Sequence, residues 1–197
     1  MYTSEDTWIK SATMIYIDQP IGTGFSYGTP LLTTLDEATD EFVTFLTNLW
    51  ATFPDLAAKD LYITGESYAG HYIPRFSYAL HSSGTFNLKA SLIGDPYTAG
   101  LTQKTNMHLV PEALNILDDS NMPQIAALRK TCYESLATDL SSSYKLCNDI
   151  MDYISKVSGD VFSYDQRIFS EDWDPIVNPT VNYFSAQPEP TQSDIYK

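Results

Sequence analysis

Apolar side chains recur at Ala38, Phe42, Phe45, Leu46, Leu49 and Phe53, the alternating three- and four-residue spacing that lines one face of an α-helix. Thr34 stands before them in register with Glu37, the arrangement in which a hydroxyl and a carboxylate each cap a backbone N–H near the other. A helix over Leu35–Thr52 is therefore predicted. Period changes on either side of it. Ala12 to Asp18 is a short run of branched and aromatic residues closed by Gln19-Pro20, which reads as a buried strand followed by a loop from Pro20 to Gly28. Leu61 to Thr64 is a second strand running straight into Gly65–Gly70 and then into a segment of helical spacing. Pro74 lacks a donor and crowds the carbonyl one turn back, so a break is expected there, with a second helical stretch from Pro74 towards Leu80. Leu88 to Asp95 reads as a third strand.

Strands alternating with helices over the first hundred residues predict an α/β class with a mostly parallel sheet covered by helices, residues 1–101. The character then changes. Pro111–Leu117, Pro123–Leu136 and Ser143–Val157 all carry helical spacing with no strand between them, which predicts a helical insertion over 102–160. Val161 to Gln166 is expected to resume the sheet region, so 161–197 reads as a return towards the core. Asp174 to Pro190 is rich in proline and predicted irregular.

With 43% hydrophobic and 13% aromatic residues in 197, the chain has material for a real core. Acidic side chains outnumber basic ones 25 to 11, a formal charge of -14, so the attraction to phosphate that drives nucleic-acid or anionic-membrane binding is missing. Met1 to Asp6 has no basic segment leading into an apolar one, and no apolar run reaches bilayer-spanning length. Met1 is not taken as the true start. Gly22-Thr23-Gly24-Phe25-Ser26-Tyr27-Gly28 misses a dinucleotide fingerprint, because the third glycine would have to stand at Tyr27, and Phe25 and Tyr27 suit packing better than phosphate contact. No lysine follows a glycine loop in the phosphate-binding manner. Neither His-Glu-x-x-His nor paired Cys-x-x-Cys is present, so no metal and no cofactor are expected. Asn178-Pro179-Thr180 is disqualified as a glycosylation acceptor by its proline. Cys132 and Cys147 are compatible with a disulfide in an oxidising compartment or with two buried thiols.

The chemistry concentrates at Gly65-Glu66-Ser67-Tyr68-Ala69-Gly70. A serine hydroxyl becomes a useful nucleophile when a tight strand-to-helix turn exposes it to a base and to backbone amides that hold the oxyanion. Such a turn needs small flanking residues. Gly65 and Gly70 are expected to tolerate unusual dihedrals and to leave room for the helix to pack on its strands. Ala69 occupies the position where strict Gly-x-Ser-x-Gly spacing has glycine, which leaves two readings of the pattern: a nucleophile elbow, or a glycine-rich turn of no chemical consequence.

The longer stretch Gly65-Glu66-Ser67-Tyr68-Ala69-Gly70-His71-Tyr72-Ile73-Pro74 resembles the nucleophile segment of the serine carboxypeptidase family, and Asp18-Gln19-Pro20-Ile21-Gly22-Thr23-Gly24-Phe25-Ser26-Tyr27 resembles its glycine loop. The likeness continues more weakly at Leu92-Ile93-Gly94-Asp95-Pro96, where the family often has Asn for Asp95, and at Tyr164-Asp165-Gln166-Arg167. The resemblance implies a partial α/β-hydrolase fold carrying a helical lid, and release of C-terminal residues from peptides or proteins with a free terminal carboxylate. In that reading Ser67 attacks the last peptide bond, the backbone N–H of Tyr68 is half of the oxyanion hole, and Glu66 binds the substrate carboxylate by sharing a proton with a second acid, best at acidic pH. It also implies a vacuolar, lysosomal or secreted route and, with it, a Cys132–Cys147 disulfide. The family's triad runs Ser, Asp, His along the chain, and none of His71, His81 and His108 has the expected place. Its Asn-Gly-Gly-Pro-Gly segment has no counterpart here either. The expectation is an internal piece of such an enzyme, from a partial gene product or incomplete gene model, inactive or weakly active alone. The competing readings are a non-catalytic binding protein that keeps the turn, and an esterase or acyltransferase of the same fold.

Overall fold

Thr34 and Glu37 close the first long helix as their spacing predicts. In the computed structural model, which describes residues 5–138 and 140–170, the Glu37 N–H donates to Thr34 Oγ1 at 3.2 Å, and Glu37 Oε2 accepts from the N–H groups of Thr33 (2.8 Å) and Thr34 (2.9 Å). These bonds hold the Glu37 carboxyl below the usual carboxylate range, the backbone donor of Thr33 contributing most. Helix α1 runs Leu35–Thr52 behind this cap, and a short α2, Pro54–Ala57, follows it.

Strand β1 (Leu61–Glu66), helix α3 (Ala69–Ser83) and strand β2 (Leu88–Gly94) form a β-α-β unit, with the strands parallel from Leu61 opposite Leu88 to Glu66 opposite Gly94. The core of this unit, Glu5–Thr98, is Leu46, Ile63, Ile73, Phe76, Leu80 and Phe86, one contribution each from α1 and β1, three from α3 and one from the segment before β2. Phe42 stacks on Phe76 with ring centroids 4.2 Å apart, fixing α1 on α3. Phe45 and Phe53, on the edge of the α1 apolar stripe, are left exposed.

Two expectations fail in this unit. Ala12 to Asp18 is not a strand: the segment makes no ladder among the described residues, and Ile15 and Tyr16 are 40% and 82% exposed. Branched residues favour an extended chain, but a strand also needs a neighbour to take its N–H and C=O groups. Pro74 does not break α3, which runs unbroken to Ser83 and ends at Gly84 in the left-handed conformation. Gly70 and Ile73 on one side of Pro74, and Phe76 and Leu80 on the other, are all buried. That continuous packed face outweighs one missing hydrogen bond.

The second unit begins at Ala99 and is helical: α4 (Gly100–Thr105), α5 (Leu109–Ala113), α6 (Met122–Thr138) and α7 (Leu140–Ser158). Helix α5 is shorter and earlier than the predicted Pro111–Leu117, because Asn115 adopts a left-handed φ of 57° and the N–H groups of Ile116 and Leu117 turn back to the Pro111 carbonyl. Cys132 and Cys147 are joined in a disulfide linking α6 to α7 within the core of Leu117, Ile125, Ile150 and Ile154. Their sequence separation of 15 closes a loop of the size for which chain entropy gives about 3 kcal/mol. Val161 does not resume the sheet. It makes a single antiparallel bridge with Phe169, while among the described residues the sheet consists of β1 and β2. The predicted irregular stretch Asp174 to Pro190 lies outside the described residues.

His108, at the N-terminus of α5, is 2% exposed, and its Nδ1 has no hydrogen-bond partner. Arg129 of α6 is anchored nearby, donating to the Thr105 carbonyl (2.7 Å) and Asn106 Oδ1 (2.9 Å). Burial, and then the Arg129 charge, lower the His108 pKa; Glu112, 3.9 Å from Nε2, works against them.

Two measurements test these contacts. Thr34→Ala is expected to lower stability by about 1 kcal/mol, read from urea unfolding. For His108 the folded pKa lies below the ordinary 6.5 of the unfolded chain. Stability is thus unaffected by this group above that pH and falls as the pH drops from there towards the lowered value, because the unfolded chain takes up the proton first. His108→Gln should flatten this loss: the melting temperature of the variant relative to the parent rises between pH 7.5 and pH 5, and a pH-independent difference would contradict the assignment.

Candidate active site

Ser67 lies between the end of β1 and the start of α3 with φ of 56°, in the left-handed region. For an L-residue with a Cβ this costs roughly 1–2 kcal/mol. Three backbone bonds hold it: its N–H donates to the Gly94 carbonyl at 3.1 Å, and its carbonyl accepts from the N–H groups of Gly70 and Tyr97, each at 2.9 Å. The side chain is exposed on this strand–turn–helix corner, as an elbow requires.

Unusual dihedrals were expected of the flanking glycines, but neither Gly65 nor Gly70 has a positive φ; the serine has it instead. The glycines supply space. A Cβ on Gly65 would stand 2.4 Å from the Ala69 Cβ and 3.0 Å from Ile73 Cγ1. One on Gly70 would meet the Tyr97 backbone at 2.6–2.8 Å. Ala69, one place before Gly70, points at Gly65, so the alanine is accommodated by the first glycine and the second glycine serves the loop after β2.

Tyr68 occupies the N-terminal cap position of α3, where helix geometry leaves N–H groups without carbonyl partners. Its N–H donates to no acceptor among the described residues. The Tyr68 ring, 57% exposed, packs against His71 (4.9 Å) and Tyr72 (5.3 Å). Burial, with a smaller contribution from Tyr68, raises the Tyr72 pKa and keeps that phenol protonated. Glu66 ends β1, exposed, beside a shallow cleft of about 500 Å³ lined also by Trp8, Thr64, Gly65, Leu92, Ile93 and Gly94. The cleft sits at the carboxyl ends of two parallel strands, where open α/β sheets bind ligands.

Of the imidazoles, His71 is half-buried between the rings of Tyr68 and Tyr97, His81 is exposed in the last turn of α3, and His108 belongs to the helical unit. None hydrogen-bonds Ser67 among the described residues. The glycine loop is organised by Asp18, whose carboxylate accepts from the Phe25 N–H at 2.8 Å and whose carbonyl accepts from Ser26 Oγ at 2.6 Å. Gly24, at φ of 52°, leaves room for that carboxylate, which a Cβ would approach to 2.3 Å. Phe25 and Tyr27 do not pack as expected; they are 96% and 94% exposed. Among the described residues no group of three or more His, Cys, Asp or Glu side chains could hold a metal ion.

Sequence reasoning missed Asp18 as the loop's anchor and Tyr97 as a contact of the elbow. For Tyr97 the signal available was the turn-forming run Gly94-Asp95-Pro96 directly after a strand, and Asp95 indeed has a positive φ of 37°.

The family model for serine carboxypeptidase matches residues 1–194. The chain is 32% identical to serine carboxypeptidase S10 family member 1 of Dictyostelium discoideum, over 81% of this chain and 40% of that protein. It is 33% identical to serine carboxypeptidase-like 48 of Arabidopsis thaliana, over 83% of this chain and 36% of that protein. The solved structure of Kex1(delta)p, a prohormone-processing carboxypeptidase from Saccharomyces cerevisiae, matches with a TM-score of 0.70 at 28% identity, covering 80% of this chain and 38% of that one. The chain therefore spans 40% or less of each of these relatives.

The strain at Ser67 has a direct test. Ser67→Gly is expected to be more stable than Ser67→Ala by about 1 kcal/mol, since glycine alone adopts the left-handed conformation without steric cost. Urea midpoints of the two variants measure it, and equal midpoints would mean that the serine backbone is unstrained.

Proposed function

Since the chain belongs to the serine carboxypeptidase family, we propose that it contributes the nucleophile of an enzyme that removes C-terminal residues from peptides through an acyl-enzyme. The fold is that of an α/β hydrolase, present in part. The observation that carries the proposal is the left-handed φ of 56° at Ser67, on an exposed corner beside an uncommitted Tyr68 N–H.

In this reading Ser67 Oγ attacks the carbonyl carbon of the last peptide bond. A base takes the hydroxyl proton and delivers it to the leaving amine, and water then cleaves the ester. The Tyr68 N–H donates to the oxyanion, where one such donor is worth roughly 10²–10³ in rate. Glu66 receives the substrate carboxylate, sharing a proton with a second acid; two carboxyl groups so close favour holding that proton at acidic pH. The base, the triad acid and Glu66's partner come from parts of the enzyme that these residues do not include, so the 197-residue chain alone is weakly active at most. Residues 102–160 are read as a lid-like insertion. The Cys132–Cys147 disulfide supports an oxidising route, vacuolar, lysosomal or secreted.

A fluorophosphonate should label Ser67 covalently in the protein expressed from its complete reading frame, and Ser67→Ala should abolish both labelling and release of C-terminal residues from an N-acylated dipeptide, by several orders of magnitude. Mass spectrometry of the labelled peptide decides it. An unlabelled Ser67 in a folded protein would favour a binding protein that keeps the turn without the chemistry.

A further inference from the structure

The turn after β2 grips Ser67 from outside its own helix. A residue's φ and ψ are fixed when the peptide planes on both sides of its Cα are fixed. Here the plane before Ser67 is pinned by its N–H on the Gly94 carbonyl, 3.1 Å. The plane after it is pinned by its carbonyl, which receives the Tyr97 N–H at 2.9 Å as well as the Gly70 N–H. The Gly70 bond closes an ordinary turn and does not select the left-handed form. Gly94 and Tyr97 bond the planes on either side of the strained residue, and they are joined by a turn strained in its own right at Asp95, φ 37°. Gly70 has no side chain to keep Tyr97 away, and the Tyr97 ring lies edge-on to His71 at 5.0 Å.

The second plane also carries the Tyr68 N–H. In a trans peptide the C=O and the next N–H point in opposite directions, so holding the Ser67 carbonyl towards Tyr97 turns the Tyr68 N–H the other way. We propose that Tyr97 is a positioning residue: through its backbone N–H it locks the Ser67–Tyr68 peptide plane, setting at once the nucleophile's backbone and the direction of the Tyr68 donor. The catalytic consequence rests on the function proposed above; the conformational one does not.

The test removes that donor, at the cost of a weaker Pro96 carbonyl acceptor. In the protein from the complete reading frame, Tyr97 is replaced by its α-hydroxy analogue, which turns the 96–97 amide into an ester and keeps the ring. Serine labelled with ¹³C reports the Ser67 backbone through its Cα and Cβ shifts. A fluorophosphonate reports reactivity as separate inactivation-rate and binding constants. The expected result is a Ser67 shift leaving its left-handed value and an inactivation rate lower by about tenfold or more at unchanged binding constant. Tyr97→Phe, which retains the N–H, should keep the parental shift. If the ester variant does not fold, Gly70→Ala keeps every donor but drives the turn outward, and it should move the same shift. An unchanged Ser67 shift in a folded ester or Gly70→Ala variant overturns the proposal. A moved shift in a protein whose Ser67 never labels upholds the clamp and rejects the nucleophile reading instead.

Discussion

The approach of α3 to the backbone around it is the constraint on which the rest of the unit Glu5–Thr98 depends. At Gly65 the strand lies so near α3 that a Cβ would overlap that of Ala69, and at Gly70 the helix lies so near the turn after β2 that a Cβ would enter the Tyr97 backbone. The Gly70 contact is with backbone, and the nearest atom to Gly65 is an alanine Cβ carried rigidly by its backbone, so both leave less play than a layer of flexible side chains. A corner built this way can direct a peptide plane. A helix resting on long side chains would leave that plane free to rock.

Holding Ser67 left-handed costs about 1–2 kcal/mol, and the core behind it settles whether the fold can sustain that. Phe76 and Leu80 are 1% and 0% exposed, and burying side chains of this kind contributes roughly 1.5–3 kcal/mol each. The strained corner is therefore a modest charge on a helix whose buried face is already committed. The same balance explains Pro74: one absent donor in α3 is smaller than the packing of Ile73, Phe76 and Leu80 around it.

What could be read from the sequence was what neighbours in the chain decide. The bounds of α1 follow from Thr34, Glu37 and the apolar period, and the strand before the Ser67 turn and the helix after it follow from periods that switch at Gly65. What could not be read depends on residues far along the chain. Ala12 to Asp18 has a strand's composition, yet pairing is a property of two segments. Helix α5 ends at Ala113 because Asn115, just beyond it, goes left-handed, and asparagine tolerates this without announcing it. Phe25 and Tyr27 look like packing residues, but the loop that carries them is set by the Asp18 carboxylate, which turns both rings outward. The Tyr97 contact joins residues thirty apart through backbone atoms; Gly94-Asp95-Pro96 announces a turn there, but not which backbone the turn will bond.

Two readings of the glycine-rich segment were open from the residues alone, a nucleophile elbow and a turn of no chemical consequence, and they make different demands on position 67. A turn that only reverses the chain is best served by glycine wherever φ is positive, as at Gly84 and Gly159, where glycine sits in the left-handed region at helix ends. At Ser67 the same conformation is imposed on a residue that pays for its Cβ, while the two glycines nearby stand where φ is not positive. Asp95, Asn115 and Asp160 also have positive φ, but Asp and Asn adopt this conformation more readily than serine, so placing it on Ser67 is the costlier choice for the fold. It makes physical sense where the hydroxyl must stand out from the corner beside an N–H that the helix leaves unused, the arrangement an acyl-transfer site requires.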